Sequence, residues 1–112
     1  MAGALELARM LVERGHAVGL AIAQKNGLEA GAAGPDAGFD LVIVEECARF
    51  EECGAYAALY ERRIDIEYAD ALPEGATWED VCAQPDLPPL TLLRDRDLAP
   101  AGAPGQALDR CP

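Results

Sequence analysis

The chain has 112 residues, of which 51% are hydrophobic and 26% charged, so its composition is typical of one globular domain and not of a disordered protein. Its 20 acidic and 9 basic residues give a net charge of −11, which argues against nucleic-acid binding and would suit a cationic partner. No apolar run approaches the roughly 18 residues of a membrane span, and Glu6 and Arg9 interrupt the segment where a signal peptide would be apolar.

The predicted secondary structure alternates between helices and strands. Apolar residues recur at helical spacing in residues 4–14, and Gly15 is a typical residue to end that helix. Strands are predicted at 17–23, 41–44, 64–68 and 90–93. Between them the sequence predicts at most a short helix within 28–38, a helix near 55–61, and a helix that is capped by Thr77 and Asp80 and runs to about 82. Residues 100–112 are predicted to be a coil tail. Four strands separated by helical segments indicate an α/β fold with a parallel sheet.

The two faces of the predicted strands differ in character. In the first strand, Lys25 shares a face with small residues, while the opposite face carries branched apolar residues. In the third strand, Asp65 and Glu67 oppose two isoleucines. One small or polar face and one branched face suit a closed barrel with helices outside. The residues that we expect to converge at the carboxyl-terminal rim of such a barrel are Lys25, Glu45, Glu67 and Asp95. Crowding at this rim would raise the pKa values of the carboxyl groups, as a general acid needs.

Four cysteines permit two disulfide bonds in three possible pairings. Cys47 and Cys53 are close enough along the chain to clip one loop, and Cys82 and Cys111 would then tie the last helix to the tail. The alternative is four free buried thiols in a reducing compartment. We expect no metal site, because the chain lacks a C-x-x-C pair and its single histidine lies far from the cysteines in sequence.

Four motifs resemble one known enzyme family. They are GHAVGLAIAQKN, FDLVIVEECARFEECGAY, IDIEYAD and LLRDRDL, which occur in this order and cover nearly all of the chain. Together they resemble the endo-α-1,4-polygalactosaminidases of glycoside hydrolase family 114. The E-x-C-x5-C block, followed by a strand that ends in E-Y, is the most specific part of this resemblance.

The resemblance implies a (β/α)8 barrel that cleaves α-1,4-linked galactosamine polymers outside the cell, with no cofactor. Such a barrel needs about 250 residues, so the whole chain, residues 1–112, would correspond to a partial barrel domain with roughly strands five to eight. Glycosidases of this type are expected to use two carboxylates, and the resemblance places one of them at Glu45. The partner acid of the family, an Asp on an earlier strand, has no counterpart here, and Val44 stands where many members carry Asn. The substrate-binding residues that the motifs and the strand ends suggest are Lys25, Asn26, Glu46, Glu67, Tyr68 and Asp95.

Each of these residues also has a structural interpretation. Acids at a strand exit often only favour the following helix N-terminus, and Arg94, Asp95 and Arg96 could form mutual salt bridges. For the whole chain, the two hypotheses are a glycoside hydrolase that acts on a cationic galactosamine-containing polysaccharide and a non-catalytic remnant or carbohydrate-binding fragment. The first requires a second carboxylate, from a homodimer or from a missing N-terminal half. Neither nucleic acid nor a membrane is an expected partner.

Overall fold

A computed structural model describes residues 2–112 and shows a five-stranded sheet with helical connections. The helices are α1 (Ala2–Ala17), α2 (Ala33–Asp36), α3 (Cys53–Ala57) and α4 (Trp78–Cys82), with a short 3-10 helix at Leu28–Ala30. The strands are β1 (Ala23–Lys25), β2 (Leu41–Glu45), β3 (Arg63–Tyr68), β4 (Leu90–Arg94) and β5 (Leu108–Arg110). They lie in sequence order; β1 to β4 are parallel, and β5 is antiparallel to β4. The predicted α/β class, with parallel βα units like those of part of a (β/α)8 barrel, is confirmed.

The strands predicted at 41–44, 64–68 and 90–93 are confirmed. Each is one residue longer than predicted: β2 and β4 continue to Glu45 and Arg94, and β3 begins at Arg63. The predicted capping box is also present. Thr77 accepts a hydrogen bond from the Asp80 amide, and the Asp80 side chain accepts one from the Thr77 amide. Within residues 2–112, none of the helices combines the length and apolar character needed to cross a bilayer.

The strand predicted at 17–23 is wrong, except for Ala23. Helix α1 continues through Gly15 to Ala17, and Gly15 is buried in the helix instead of ending it. The amides of Val18 and Leu20 both donate to the Gly15 carbonyl, at 3.2 and 3.0 Å, and Gly19 adopts a left-handed φ of 81°. This turn ends the helix and leaves Val18 and Leu20 62% and 58% exposed. The apolar run is therefore a helix C-terminus followed by a turn, which periodicity alone does not distinguish from a buried strand.

One face of the sheet is covered by the helices. Val44 of β2 pairs in register with Asp65 of β3, so these two residues lie on the same face as Val42 and Glu67. The core on this helix-covered face consists of Val42, Val44, Cys47, Ala48, Cys53, Tyr56, Tyr60 and Val81. The other face, here called the open face, carries Lys25, Glu45, Ile64, Ile66 and Tyr68 in the same register. The sequence predicted that Lys25, Asp65 and Glu67 share the polar face of the sheet. Lys25 does lie on the open face beside Glu45, but Asp65 and Glu67 lie on the helix-covered face, so their prediction is wrong.

The C-terminal tail, residues 100–112, was predicted to be coil, but part of it forms a strand. Residues Leu108–Arg110 form β5, which pairs with β4, and the Cys111 amide donates to the Thr91 carbonyl at 3.1 Å. The tail is held there by a disulfide bond between Cys82 and Cys111, and a second disulfide joins Cys47 to Cys53. The pairing that the sequence favoured is confirmed. Because β5 pairs with β4, the backbone of β4 at this side is not left as an open sheet edge.

Candidate active site

The carboxylate of Glu45 lies at the carboxyl-terminal end of β2, on the open face, with polar side chains around it. The Tyr68 hydroxyl donates to Oε1 at 2.6 Å, and Asn26 Nδ2 donates to Oε2 at 3.3 Å. Lys25 Nζ lies 3.0 Å from Oε2. The Glu45 side chain is 36% exposed. Three of the predicted site residues therefore converge on the predicted catalytic acid, and that acid remains accessible to solvent.

Asn26 holds the backbone of Glu45 as well as its side chain. Its Oδ1 accepts the Glu45 amide at 2.8 Å, and its own backbone has a left-handed φ of 52°. The preceding Gln24 supports this turn, because its Nε2 donates to the Asn26 carbonyl at 2.7 Å while its Oε1 accepts the buried Tyr60 hydroxyl at 2.6 Å. Gln24 was not singled out in the sequence. The signal that could have found it is its position one residue before Lys25, on the opposite face of β1.

These contacts lower the pKa of Glu45 below its usual value. The largest cause is the hydrogen bond from Tyr68, followed by the hydrogen bond from Lys25, and both outweigh the effect of partial burial. The pKa of Tyr68 is raised to about 12, first by the hydrogen bond to Glu45 and then by burial. Near neutral pH, Glu45 is therefore ionised and Tyr68 is a neutral donor. The raised pKa that we expected from crowded carboxylates does not occur at Glu45, because its nearest neighbours are donors.

Glu46 is bound by Arg96, for which only mutual salt bridges with its neighbours Arg94 and Asp95 were expected. Arg96 Nη2 lies 3.0 Å from Glu46 Oε1, and the same guanidinium contacts both carboxylate oxygens of Asp70 at 2.8 to 3.2 Å. The guanidinium carbon also lies 4.4 Å from the centre of the Tyr68 ring, at a distance typical of cation–π contacts. Arg96 thus links Glu46 and Asp70 to the tyrosine that binds Glu45.

Glu67 does not join this group, contrary to the prediction that it converges at the rim. Its side chain lies on the helix-covered face and is fully buried, as is that of Asp65. Glu67 Oε1 accepts the Ala48 amide at 2.6 Å, and Asp65 Oδ1 accepts the Cys47 amide at 3.2 Å. Buried acids are tolerated here because loop amides donate to them. The sequence carried no signal for this orientation, because alternation along β3 does not say which face the helices cover.

Asp95 is also separated from the Glu45 group, because it binds the C-terminal tail. Its Oδ2 accepts the Ala99 amide at 2.8 Å and its Oδ1 accepts the Ala107 amide at 3.0 Å. These hydrogen bonds lower the pKa of Asp95. Arg94 lies 3.5 Å from Asp95 Oδ1, so the salt bridge that we considered between them is present. The predicted convergence of Asp95 at the rim is wrong, because the residue is engaged by the turn that leads to β5.

Two other features lie near the site without forming part of it. The sulfurs of Cys47 and Cys53 and a carboxylate oxygen of Asp65 lie within 4.8 Å of one another, but the sulfurs are bonded to each other and offer no thiolate to a metal. A cleft of about 640 Å³ is bordered by the loop of residues 47–51 and by residues 84–86. Glu45 does not line this cleft. The accessible carboxylate with its donors, rather than the cleft, defines the candidate active site.

Comparison with known proteins identifies the family. A model of glycoside-hydrolase family GH114 matches residues 1–111, which is nearly the whole chain. No match was found among curated proteins or among solved structures. The match includes every element described above and both disulfide bonds, and it agrees with the resemblance of the four sequence motifs. The chain therefore belongs to glycoside-hydrolase family GH114.

Proposed function

We propose that this chain takes part in the hydrolysis of an α-1,4-linked galactosamine polysaccharide and that Glu45 is one of the two carboxylates of the reaction. The observation that carries the proposal is the set of three donors around an accessible, ionised carboxylate. A glycosidase needs one carboxylate that is ionised, to act as nucleophile or as general base, and one that is protonated, to act as general acid. The lowered pKa of Glu45 fits the ionised role.

The proposed reaction divides the work between this carboxylate and a second one. Glu45 attacks the anomeric carbon, or removes a proton from the attacking water, while a carboxylic acid protonates the leaving glycosidic oxygen. In this chain Glu46 is held by Arg96, Glu67 is buried on the helix-covered face, and Asp95 binds the tail. We therefore infer that the acid comes from another polypeptide surface, either a second copy of this chain or the N-terminal half of a barrel.

The charge of the protein supports a cationic substrate. The chain has a net charge of −11, and unmodified galactosamine units carry ammonium groups, so the polymer would be attracted to the protein at low ionic strength. We propose that the remaining predicted binding residues, Lys25, Asn26 and Tyr68, contact the substrate beside Glu45. We also propose an extracellular location, because both disulfide bonds require an oxidising environment.

The test is the release of reducing ends from a partially deacetylated α-1,4-galactosamine polymer. The wild-type chain, Glu45→Gln and Glu13→Gln are compared over a range of protein concentrations, because a second copy would make activity depend on concentration. Glu13 is an exposed residue of α1 and serves as the matched control. We expect Glu45→Gln to lower the rate by roughly 10³-fold and Glu13→Gln to leave it unchanged.

The outcomes separate the two hypotheses for the chain. Equal rates for the wild type and Glu45→Gln would contradict the role of Glu45. A folded wild-type chain that releases no reducing ends at any concentration would contradict catalysis by this chain alone. Retention of the polymer by that inactive chain would then favour the carbohydrate-binding fragment.

A further inference from the structure

Three consecutive amides that follow Glu45 donate to β3. The Glu46 amide donates to the Ile66 carbonyl at 2.8 Å, the Cys47 amide to Asp65 Oδ1 at 3.2 Å, and the Ala48 amide to Glu67 Oε1 at 2.6 Å. Two of these three acceptors are carboxyl side chains that are fully buried beneath the loop. The backbone of residues 46–48 is thus attached to β3 through Asp65 and Glu67.

This attachment holds a residue in an unfavourable backbone conformation. Glu46 has a left-handed φ of 59°, which is uncommon for a residue other than glycine and costs energy unless surrounding contacts enforce it. The turn directs the chain away from β2 immediately after Glu45 and brings the Glu46 carboxylate to Arg96. We propose that Asp65 and Glu67 are positioning residues, which fix the turn at Glu46 and thereby the orientation of Glu45. The proposal rests on the proposed function only in taking Glu45 as a catalytic residue.

Asp65 and Glu67, here called the carboxyl pair, need one proton between them to hold the turn at Glu46. The amides of Ile66 and Arg49 also lower the pKa values of Asp65 and Glu67, respectively. Among residues 2–112, however, Asp65 Oδ2 and Glu67 Oε2 are buried without a well-formed hydrogen bond, and the two side chains lie close enough to hydrogen-bond to each other. A single shared proton would supply the missing donor. Burial raises the pKa values of both groups, and that of Asp65 reaches about 8 because the neighbouring Glu67 adds to the effect of burial. At neutral pH the pair therefore keeps a proton.

The groups around the pair do not supply a compensating positive charge. Glu46 in the loop adds a like charge that raises the pKa of Glu67. Thr91 of β4 pairs in register with Asp65 but does not titrate, and the disulfide sulfurs do not titrate either. Arg63 shares the face of β3, but its Nη1 donates to the Tyr60 carbonyl at 2.7 Å. Burial raises the pKa values of Tyr56 and Tyr60, so both phenols stay neutral when the pair titrates.

Because the pair is buried without a compensating positive charge, a rise in pH should weaken its hold on the turn at Glu46. At neutral pH the pair carries a shared proton, and the two carboxyl groups hydrogen-bond to each other and to the loop. As the pH rises through about 8, the proton is lost, two carboxylates repel each other in a buried site, and the turn at Glu46 loosens. The substitution Asp65→Asn nearly preserves the shape of a protonated Asp but introduces a side chain that cannot ionise, so it should remove this pH dependence.

The first experiment uses nuclear magnetic resonance and needs no activity. Side-chain carboxyl ¹³C shifts of Asp65 and Glu67 and the amide shifts of Cys47 and Ala48 are recorded between pH 6 and 10 in the wild type, Asp65→Asn and Asp36→Asn. We expect all four signals to change together near pH 8 in the wild type and in Asp36→Asn, a control at an exposed residue of α2. In Asp65→Asn, we expect the two amide shifts to stay constant over this range. Glu67→Gln is a second isosteric variant with the same expectation, should Asp65→Asn fail to fold.

The second experiment measures the positioning role through kcat/KM for polymer cleavage over the same range. We expect wild-type kcat/KM to fall about tenfold for each pH unit above 8, and Asp65→Asn to remain active there. A pH effect from the amino groups of the substrate would appear equally in both proteins, so the difference between them isolates the pair.

Two results would overturn the inference. One is a wild-type amide shift at Cys47 and Ala48 that does not follow the carboxyl titration. The other is an Asp65→Asn variant whose kcat/KM falls with pH in parallel with the wild type. If the polymer is not cleaved at any pH while the coupled titration is present, catalysis by this chain alone is contradicted, but the attachment of the loop by the pair stands.

Discussion

The hydroxyl of Tyr68, at the end of β3, donates a hydrogen bond of 2.6 Å to Oε1 of Glu45, at the end of the neighbouring strand β2. This bond is the largest cause of the lowered pKa of Glu45, and together with burial it raises the pKa of Tyr68 to about 12. The phenol is therefore neutral and the carboxylate ionised near neutral pH. The Arg96 guanidinium carbon lies 4.4 Å from the centre of the tyrosine ring, and this contact helps to hold the phenol in place.

Tyr68→Phe should weaken catalysis and shift its pH dependence. Without the hydroxyl, the pKa of Glu45 rises towards its usual value, so the loss of activity on acidification begins at a higher pH. A hydrogen bond to a charged group contributes about 1.5–3 kcal/mol, so we expect kcat/KM to fall by roughly ten- to a hundredfold. The pKa is also measured directly from the carboxyl ¹³C shift of Glu45, which gives a result even without activity.

Tyr60→Phe is the matched control for this substitution. The buried Tyr60 hydroxyl donates to Gln24 Oε1 at 2.6 Å, and its removal leaves that oxygen without its donor. We expect this variant to lose about 1–3 kcal/mol of unfolding free energy in denaturant titration, with the pKa of Glu45 unchanged. A pKa of Glu45 that moves equally in both variants would show that the Tyr68 hydrogen bond has no special role.

The two disulfide bonds should differ in their contribution to stability. The bond between Cys82 and Cys111 spans 29 residues, whereas that between Cys47 and Cys53 spans 6. The loop-entropy relation gives about 3.6 kcal/mol for the longer loop and about 2.2 kcal/mol for the shorter one. We expect the double variant Cys82→Ala/Cys111→Ala to have the lower unfolding free energy and to release β5, as measured by denaturant titration and by amide exchange at Leu108–Arg110. Equal losses in the two double variants would argue that chain entropy does not explain the stabilisation.

A pair of glycine substitutions tests the packing beside β1. A Cβ at Gly34 would collide with Gln24 Oε1 and lie 3.0 Å from the Tyr60 hydroxyl, whereas a Cβ at Gly3 in α1 would meet nothing within 4 Å. We expect Gly34→Ala to lower the unfolding free energy by about 1–3 kcal/mol and Gly3→Ala to raise it by about 0.5–1 kcal/mol through helix propensity. Thermal or denaturant unfolding of both variants measures the difference. A neutral Gly34→Ala would mean that the Gln24–Tyr60 contact adjusts freely.

Local sequence patterns were sufficient for much of the fold. The short runs at Leu41–Glu45 and Leu90–Arg94 are apolar and are bounded by residues that favour turns, so their strands could be predicted. Thr77 and Asp80 have the spacing of a capping box, whose hydrogen bonds lie within one helical turn. The spacing of Cys47 and Cys53 likewise suggested a bond within one loop. The run at 17–23 misled because an apolar segment of strand length can also be a helix end followed by a turn, and the helix hydrogen bonds to Gly15 decided between them.

The sequence by itself determined the family motifs and which polar residues follow which strand. It also placed Glu45 beside Lys25 and Asn26, because the carboxyl ends of parallel strands meet at one edge of a sheet. Only the tertiary structure decided that Asp65 and Glu67 lie beneath the helices, that Asp95 binds the tail and that Arg96 joins Glu46 to Tyr68. A period-two pattern assigns residues to two faces but does not name them, since the choice depends on which loop amides and helices cover each face. Burial of a carboxyl group is stable only where such distant donors meet it.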